Sequence, residues 1–87
     1  MAEEVVVLVS CSPNEAEGIA SHLVQARVAA CVNIVPAITS IYRWKGELCN
    51  ETESLLVIKS KRHLWERLEQ AIKEVHSYEV PEIICLP

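Results

Sequence analysis

The densest group of reactive side chains lies near the end of the chain, where His76, Ser77, Tyr78, Glu79 and Glu82 follow closely on one another. An imidazole and a carboxylate three residues apart, His76 and Glu79, offer nitrogen and oxygen donors of the kind that suit copper, zinc or nickel. Two donors leave such a site incomplete, so a thiolate such as Cys11, or water, has to finish it. The plainer reading of the same residues is structural: His76 closes a helix and Tyr78 packs at an interface. His22 and His63 fall on the wet faces of the helices described below and are set aside.

Tyr42, Arg43 and Trp44 form a second group, and they hold two of the four aromatic residues of the chain. Such side chains serve either as subunit contacts or as a wall on which a ligand stacks. Lys59 ends an apolar run and is aimed at a pocket mouth. The segment Ser10-Cys11-Ser12-Pro13-Asn14 offers amides and hydroxyls at a helix start, which favours anions. It has no glycine for close approach to a phosphate, so capping is its expected task. Acylphosphatase-type chemistry would need an Arg on a glycine-rich loop, and the chain has no such loop. No enzyme activity is expected.

Cys11, Cys31, Cys49 and Cys85 include no Cys-x-x-Cys pair and have no histidine at zinc-finger spacing. They are expected to be buried free thiols in a reducing compartment. Twelve acidic residues, all Glu, against eight Lys and Arg give a net charge of −4. With no dense basic face, nucleic acid is excluded as a partner. The longest apolar runs, Val5 to Val9 and Val28 to Val32, are far short of the roughly 20 residues that span a bilayer. Met1-Ala2-Glu3-Glu4 has no basic leader, so a cytoplasmic protein with no membrane partner is expected.

The elements that hold these groups follow from the patterning. Val5 to Val9 is β-branched and continuous, as in a strand buried on both faces. Ser12, Pro13 and Glu15 spell a capping box, followed by an apolar stripe at Ala16, Ile19, Ala20, Leu23 and Val24. From Ala30 the period becomes extended, with Pro36 marking an edge or a bulge. Lys45-Gly46 supplies a tight turn to a return strand reaching Lys59, whose outer part, Asn50 to Glu53, is polar on both parities. A second helix from Ser60 or Lys61 carries Leu64, Leu68, Ala71, Ile72 and Val75, with a Glu69–Lys73 pair on its wet side. Pro81 ends that region, and Glu82 to Leu86 forms a last strand.

The order β-α-β-β-α-β in a single domain, residues 1–87, implies an α+β ferredoxin-like sandwich with a long β2–β3 hairpin. That hairpin exceeds its partners within the subunit, which implies strand pairing between subunits. A hydrophobic share of 51% in so small a chain agrees with oligomer contacts.

Ala29-Ala30-Cys31-Val32-Asn33-Ile34, Thr39-Ser40-Ile41-Tyr42-Arg43-Trp44-Lys45-Gly46, Lys59 and His76-Ser77-Tyr78-Glu79-Val80-Pro81-Glu82-Ile83-Ile84 together resemble the CutA divalent-ion tolerance proteins. The resemblance implies a non-catalytic homotrimer related in architecture to PII-like signalling proteins. It also implies copper or a similar divalent ion and no organic cofactor. The expected metal ligands are His76, Glu79 and Cys11. Alternatively, a regulatory trimer binds a small ligand in inter-subunit clefts lined by Asn33, Tyr42, Trp44, Lys59, His76 and Tyr78.

Two departures stand out. Ser77 replaces the family's usual proline between His76 and Tyr78. Of the cysteine and paired histidines that some copper-binding members carry, only His76 is kept, with Ser10 and Val75 at the other positions. The family pattern also continues past Leu86-Pro87 with a strand and helix, so the trimer is expected to rest mainly on its hairpins.

Overall fold

The computed structural model describes residues 3–87, so the Met1-Ala2 start taken above as leaderless lies outside it. β1 (Glu4–Cys11) leads through a 3₁₀ turn (Pro13–Glu15) into α1 (Ala16–Gln25). β2 (Cys31–Trp44) and β3 (Glu47–Lys61) form the hairpin. A second 3₁₀ turn (Arg62–Leu64), α2 (Trp65–Val75) and β4 (Ile83–Leu86) complete the chain. The four strands form one antiparallel sheet in the order β2-β3-β1-β4, the ferredoxin-like arrangement expected from the patterning.

Burial alternates along β1: Val5, Val7, Val9 and Cys11 are enclosed, while Val6, Leu8 and Ser10 are half-exposed. This corrects the expectation of a strand buried on both faces, because only one face of the sheet is covered by helices. That face meets Ile19 and Leu23 of α1 and Leu68 and Ile72 of α2, with Leu56 and Ile58 of β3 completing the core. Fully burying an aliphatic side chain of this kind stabilises a fold by ~1.5–3 kcal/mol, so the few that are enclosed carry much of the stability. The opposite face, with half-buried Leu8, Leu55 and Val57 and exposed Val35, Ile84 and Leu86, has no cover among the described residues.

The helix stripes are narrower than expected. Val24 is 43% exposed and Val75 37%, whereas Ala16, Ile19, Ala20 and Leu23, and then Leu68, Ala71 and Ile72, are buried. The Glu69–Lys73 pair forms at 3.7 Å. Of the four cysteines, all free, only Cys11 is buried and Cys31 is exposed; four buried thiols were expected. His22 is also not simply a surface residue: its Nε2 is buried without a hydrogen-bond partner among the described residues.

Backbone detail fixes the hairpin and the end of α1. Lys45 and Gly46 both take positive φ, 51° and 82°, the conformation of a type I′ turn. The ladder slips between Val35 and Ile38, where Pro36 and Ala37 (φ 60°) form the bulge. α1 ends in a Schellman pattern, with the amide of Val28 donating to the Leu23 carbonyl and that of Arg27 to Val24. Ser60 then donates its hydroxyl to the Val28 carbonyl at 2.6 Å, tying the start of β2 to β3.

Candidate functional site

The hairpin runs past the end of β1, since β3 pairs with β1 only from Ser54 to Lys61. The space left between the projecting hairpin and the segment joining α2 to β4 is a cleft of about 670 Å³. The hairpin contributes Ser40, Tyr42, Arg43, Trp44, Glu51 and Glu53; the other wall is Tyr78 to Val80 and Glu82, with Ser10 and Ser12 from the end of β1. Four carboxylates therefore face a single basic lining residue, Arg43.

The α2–β4 segment is latched by three neighbouring side chains. His76 closes α2 with its amide, which donates to the Ile72 carbonyl. Its ring is nearly buried, with Nε2 2.9 Å from the Ser10 carbonyl and Nδ1 accepting the Tyr78 amide at 3.1 Å. Those partners fix the tautomer with the proton on Nε2. Ser77 donates both its amide and its hydroxyl to the Glu15 carboxylate, at 3.1 and 2.6 Å. Tyr78 donates its hydroxyl to Glu53 Oε2 at 2.5 Å, its ring 4.6 Å from that of His76.

The Glu15 contact overturns the capping box. Ser12 makes no side-chain cap bond, Pro13–Glu15 is a 3₁₀ turn, and the carboxylate turns to Ser77 instead. Burial pushes the Glu15 carboxyl upward, but the two Ser77 donors, with His76 and Ser12, outweigh it and hold Glu15 below its ordinary value. Burial together with the Glu53 contact pushes the Tyr78 phenol up to about 12. Tyr42 likewise donates to Glu51, and that contact raises its phenol above the usual range.

The expected metal set is not assembled. Among the described residues no three His, Cys or Glu side chains converge on a common point. Both nitrogens of His76 are already bonded within the chain, so coordination there would break one of those bonds. Cys11 faces the core, and burial, with Glu15 and Glu53 nearby, pushes its thiol up to about 11, away from the thiolate a metal requires. Glu79 alone of the three is exposed at the cleft.

The expected ligand set is split. Tyr42, Trp44 and Tyr78 share the acidic cleft. Lys59 belongs to a separate groove with Arg27, Lys61, Val24 and Leu64, and Asn33 is exposed on β2 opposite Val57. Glu51 and Glu53 were missed, although the turn gives them away. Counting back from Lys45-Gly46 pairs Tyr42 with Cys49 and Ser40 with Glu51, which brings Glu51 diagonally beside Tyr42. Glu53, on the outer stretch of β3 that is polar on both parities, is only 4% exposed.

Fold and cleft define an α+β ferredoxin-like sandwich with an acidic cleft beside its hairpin. The family model described as CutA1 divalent ion tolerance protein matches residues 5–87, and the chain belongs to that family. It is 49% identical over 85 residues to the divalent-cation tolerance protein CutA of Thermus thermophilus, covering 98% of this chain and 82% of that one. The solved structure of the divalent cation tolerance protein (Cut A1) from that organism has a TM-score of 0.92 at 49% identity, covering 97% of this chain and 82% of its own. The PII-like protein CutA from Nostoc, in apo form, gives 0.90 at 42% identity, over 95% and 79% of the two chains. A chloroplastic CutA of Arabidopsis thaliana is 46% identical over 77 residues, covering 86% of this chain, which spans only 42% of that relative. Among the described residues no helix is long and apolar enough to cross a membrane.

Proposed function

We propose that this chain is a non-catalytic, trimeric divalent-cation tolerance protein that binds copper or a similar divalent ion at the acidic cleft. The observation that carries the reading is the charge of that cleft, where Glu51, Glu53, Glu79 and Glu82 face Arg43 alone. Glu79 and Glu82 are exposed and free to act as oxygen donors, with water or a second copy completing the coordination. His76 enters the site as the anchor of the segment that carries them. The non-catalytic reading is supported by the two groups best suited to nucleophilic chemistry: Cys11 is held as a thiol, and His76 has both nitrogens engaged. Four free cysteines agree with a reducing, cytoplasmic setting.

Copper titration by calorimetry tests the ligand assignment on protein purified without chelator. The Glu79→Gln/Glu82→Gln double variant is expected to lose at least about tenfold in affinity, or ~1.4 kcal/mol. Equal affinity in the double variant and the parent removes the carboxylates from the site.

A second reading has its own observation. Tyr42, Trp44 and Tyr78 wall a cleft whose volume of about 670 Å³ is the size of a small-molecule pocket rather than a single-ion site. This favours a regulatory protein that binds a small ligand, a reading supported by the likeness to the PII-like CutA of Nostoc. Asn33 and Lys59 would join such a cleft only from a second copy.

A further inference from the structure

We propose that the ligand of the cleft is a small organic ammonium ion, an amine carrying a few carbons; this rests on the second reading, that the cleft receives an organic molecule. The negative charge is spread along the cleft rather than focused, since among the described residues no three ligating side chains converge. Dispersed carboxylates suit a long or diffuse cation whose N–H groups reach several oxygens.

The walls point the same way. Trp44 is 44% exposed and Tyr42 38%, so their rings are open to a ligand, and a cation over an aromatic face is attracted by the ring quadrupole. The structure already holds one such contact: the Lys45 ammonium sits 5.8 Å from the centroid of the Trp44 ring. A ligand ammonium would meet the same ring chemistry from within the cleft.

The third observation is Glu53. Its carboxylate is 4% exposed and lines the cleft, and its one hydrogen bond comes from the neutral hydroxyl of Tyr78. A buried carboxylate with no cationic partner among the described residues is costly unless a positive donor arrives. An ammonium group supplies the charge and the N–H donor together, while its carbons lie against Tyr42 and Trp44.

The test uses 1,4-diaminobutane as the probe, with 1,4-butanediol and succinate as neutral and anionic counterparts of the same carbon count. Trp44 emission is followed in a Trp65→Phe background. The diamine is expected to give a saturable change, and the diol and succinate none. Glu53→Gln should weaken diamine binding at least about tenfold. Should that variant fail to fold, Tyr42→Leu, at an exposed position, gives the decision through the loss of the ring.

Saturation by succinate or the diol but not the diamine overturns the proposal and leaves the small-ligand reading standing. No saturation with any of the three overturns both. Diamine binding unchanged in both variants also overturns the assignment to this cleft.

Discussion

Glu15 receives two donors from Ser77, and this choice of partner decides how the segment above the cleft is held. A proline at position 77 would have neither donor, so Ser77 ties the segment down with a charge-assisted hydrogen bond. Glu15 is held below the ordinary value of 4.5 although burial works against it, because the Ser77 donors outweigh that burial. A depressed carboxyl contributes stability that is present above its unfolded value and lost as pH falls through the folded one. The side chain is half-exposed, so solvent discounts the contact, and Glu15→Gln is expected to cost about 1 kcal/mol near neutral pH. Urea midpoints of parent and variant should converge below pH 4.5. A gap that persists unchanged in acid would assign the effect to packing rather than to the charge. Cys11 makes a second residue-scale prediction. With its thiol pushed up to about 11 by burial, it should resist iodoacetamide in the native protein and react once the chain is unfolded. Peptide mass spectrometry reads this directly, and native labelling at Cys11 would contradict the enclosed position.

At the scale of elements, the end of α1 carries a residue that local physics disfavours. Arg27 adopts φ 62° at the position after the helix cap, where glycine avoids the steric cost of ~1–2 kcal/mol borne by other residues. Arg27→Gly should raise stability by roughly 0.5 kcal/mol once the greater freedom of glycine in the unfolded chain is subtracted, read as a higher urea midpoint with the slope unchanged. A lower midpoint would mean that the Arg27 side chain makes a stabilising contact worth more than the strain. Such local signals made most of the fold legible in the sequence. Gly46 marked the turn, Pro36 the bulge, and the period change near Ala30 the passage from helix to strand. The capping box failed because its three residues also fit a 3₁₀ turn, and because Glu15 had a competing partner 62 positions away. The site was half legible for the same reason. Tyr42, Trp44, Tyr78 and Glu79 were marked by type, but the burial of Glu53 depends on a segment that reaches it only after folding. His76 looked like a ligand because its type is right, whereas its two hydrogen bonds are tertiary facts.

At the scale of the whole molecule, the chain measures 40 × 25 × 21 Å because its hairpin outruns the rest of the sheet. Among the described residues, β3 from Glu47 to Glu53 has β2 on one side and no strand on the other, and the outer edges of β2 and β4 are likewise open. Open edges of this length pair readily with further strands. The helix-free face of the sheet adds half-buried Leu8, Leu55 and Val57 and exposed Ile84 and Leu86, apolar side chains that a second copy could cover. Edges and face together favour the proposed trimer, in which hairpins extend the sheets of neighbouring copies while the apolar faces meet. Native mass spectrometry at micromolar protein should then give three times the chain mass of 9.7 kDa. Ile84 is 44% exposed and lies on β4 opposite Leu8, so Ile84→Lys should leave the fold intact while burying an unpaired charge wherever the faces pack. A shift of the variant toward monomer, with unchanged circular dichroism, is the expected result. A monomeric parent at that concentration would refute the trimer, and a trimer indifferent to Ile84→Lys would confine the contact to the strand edges.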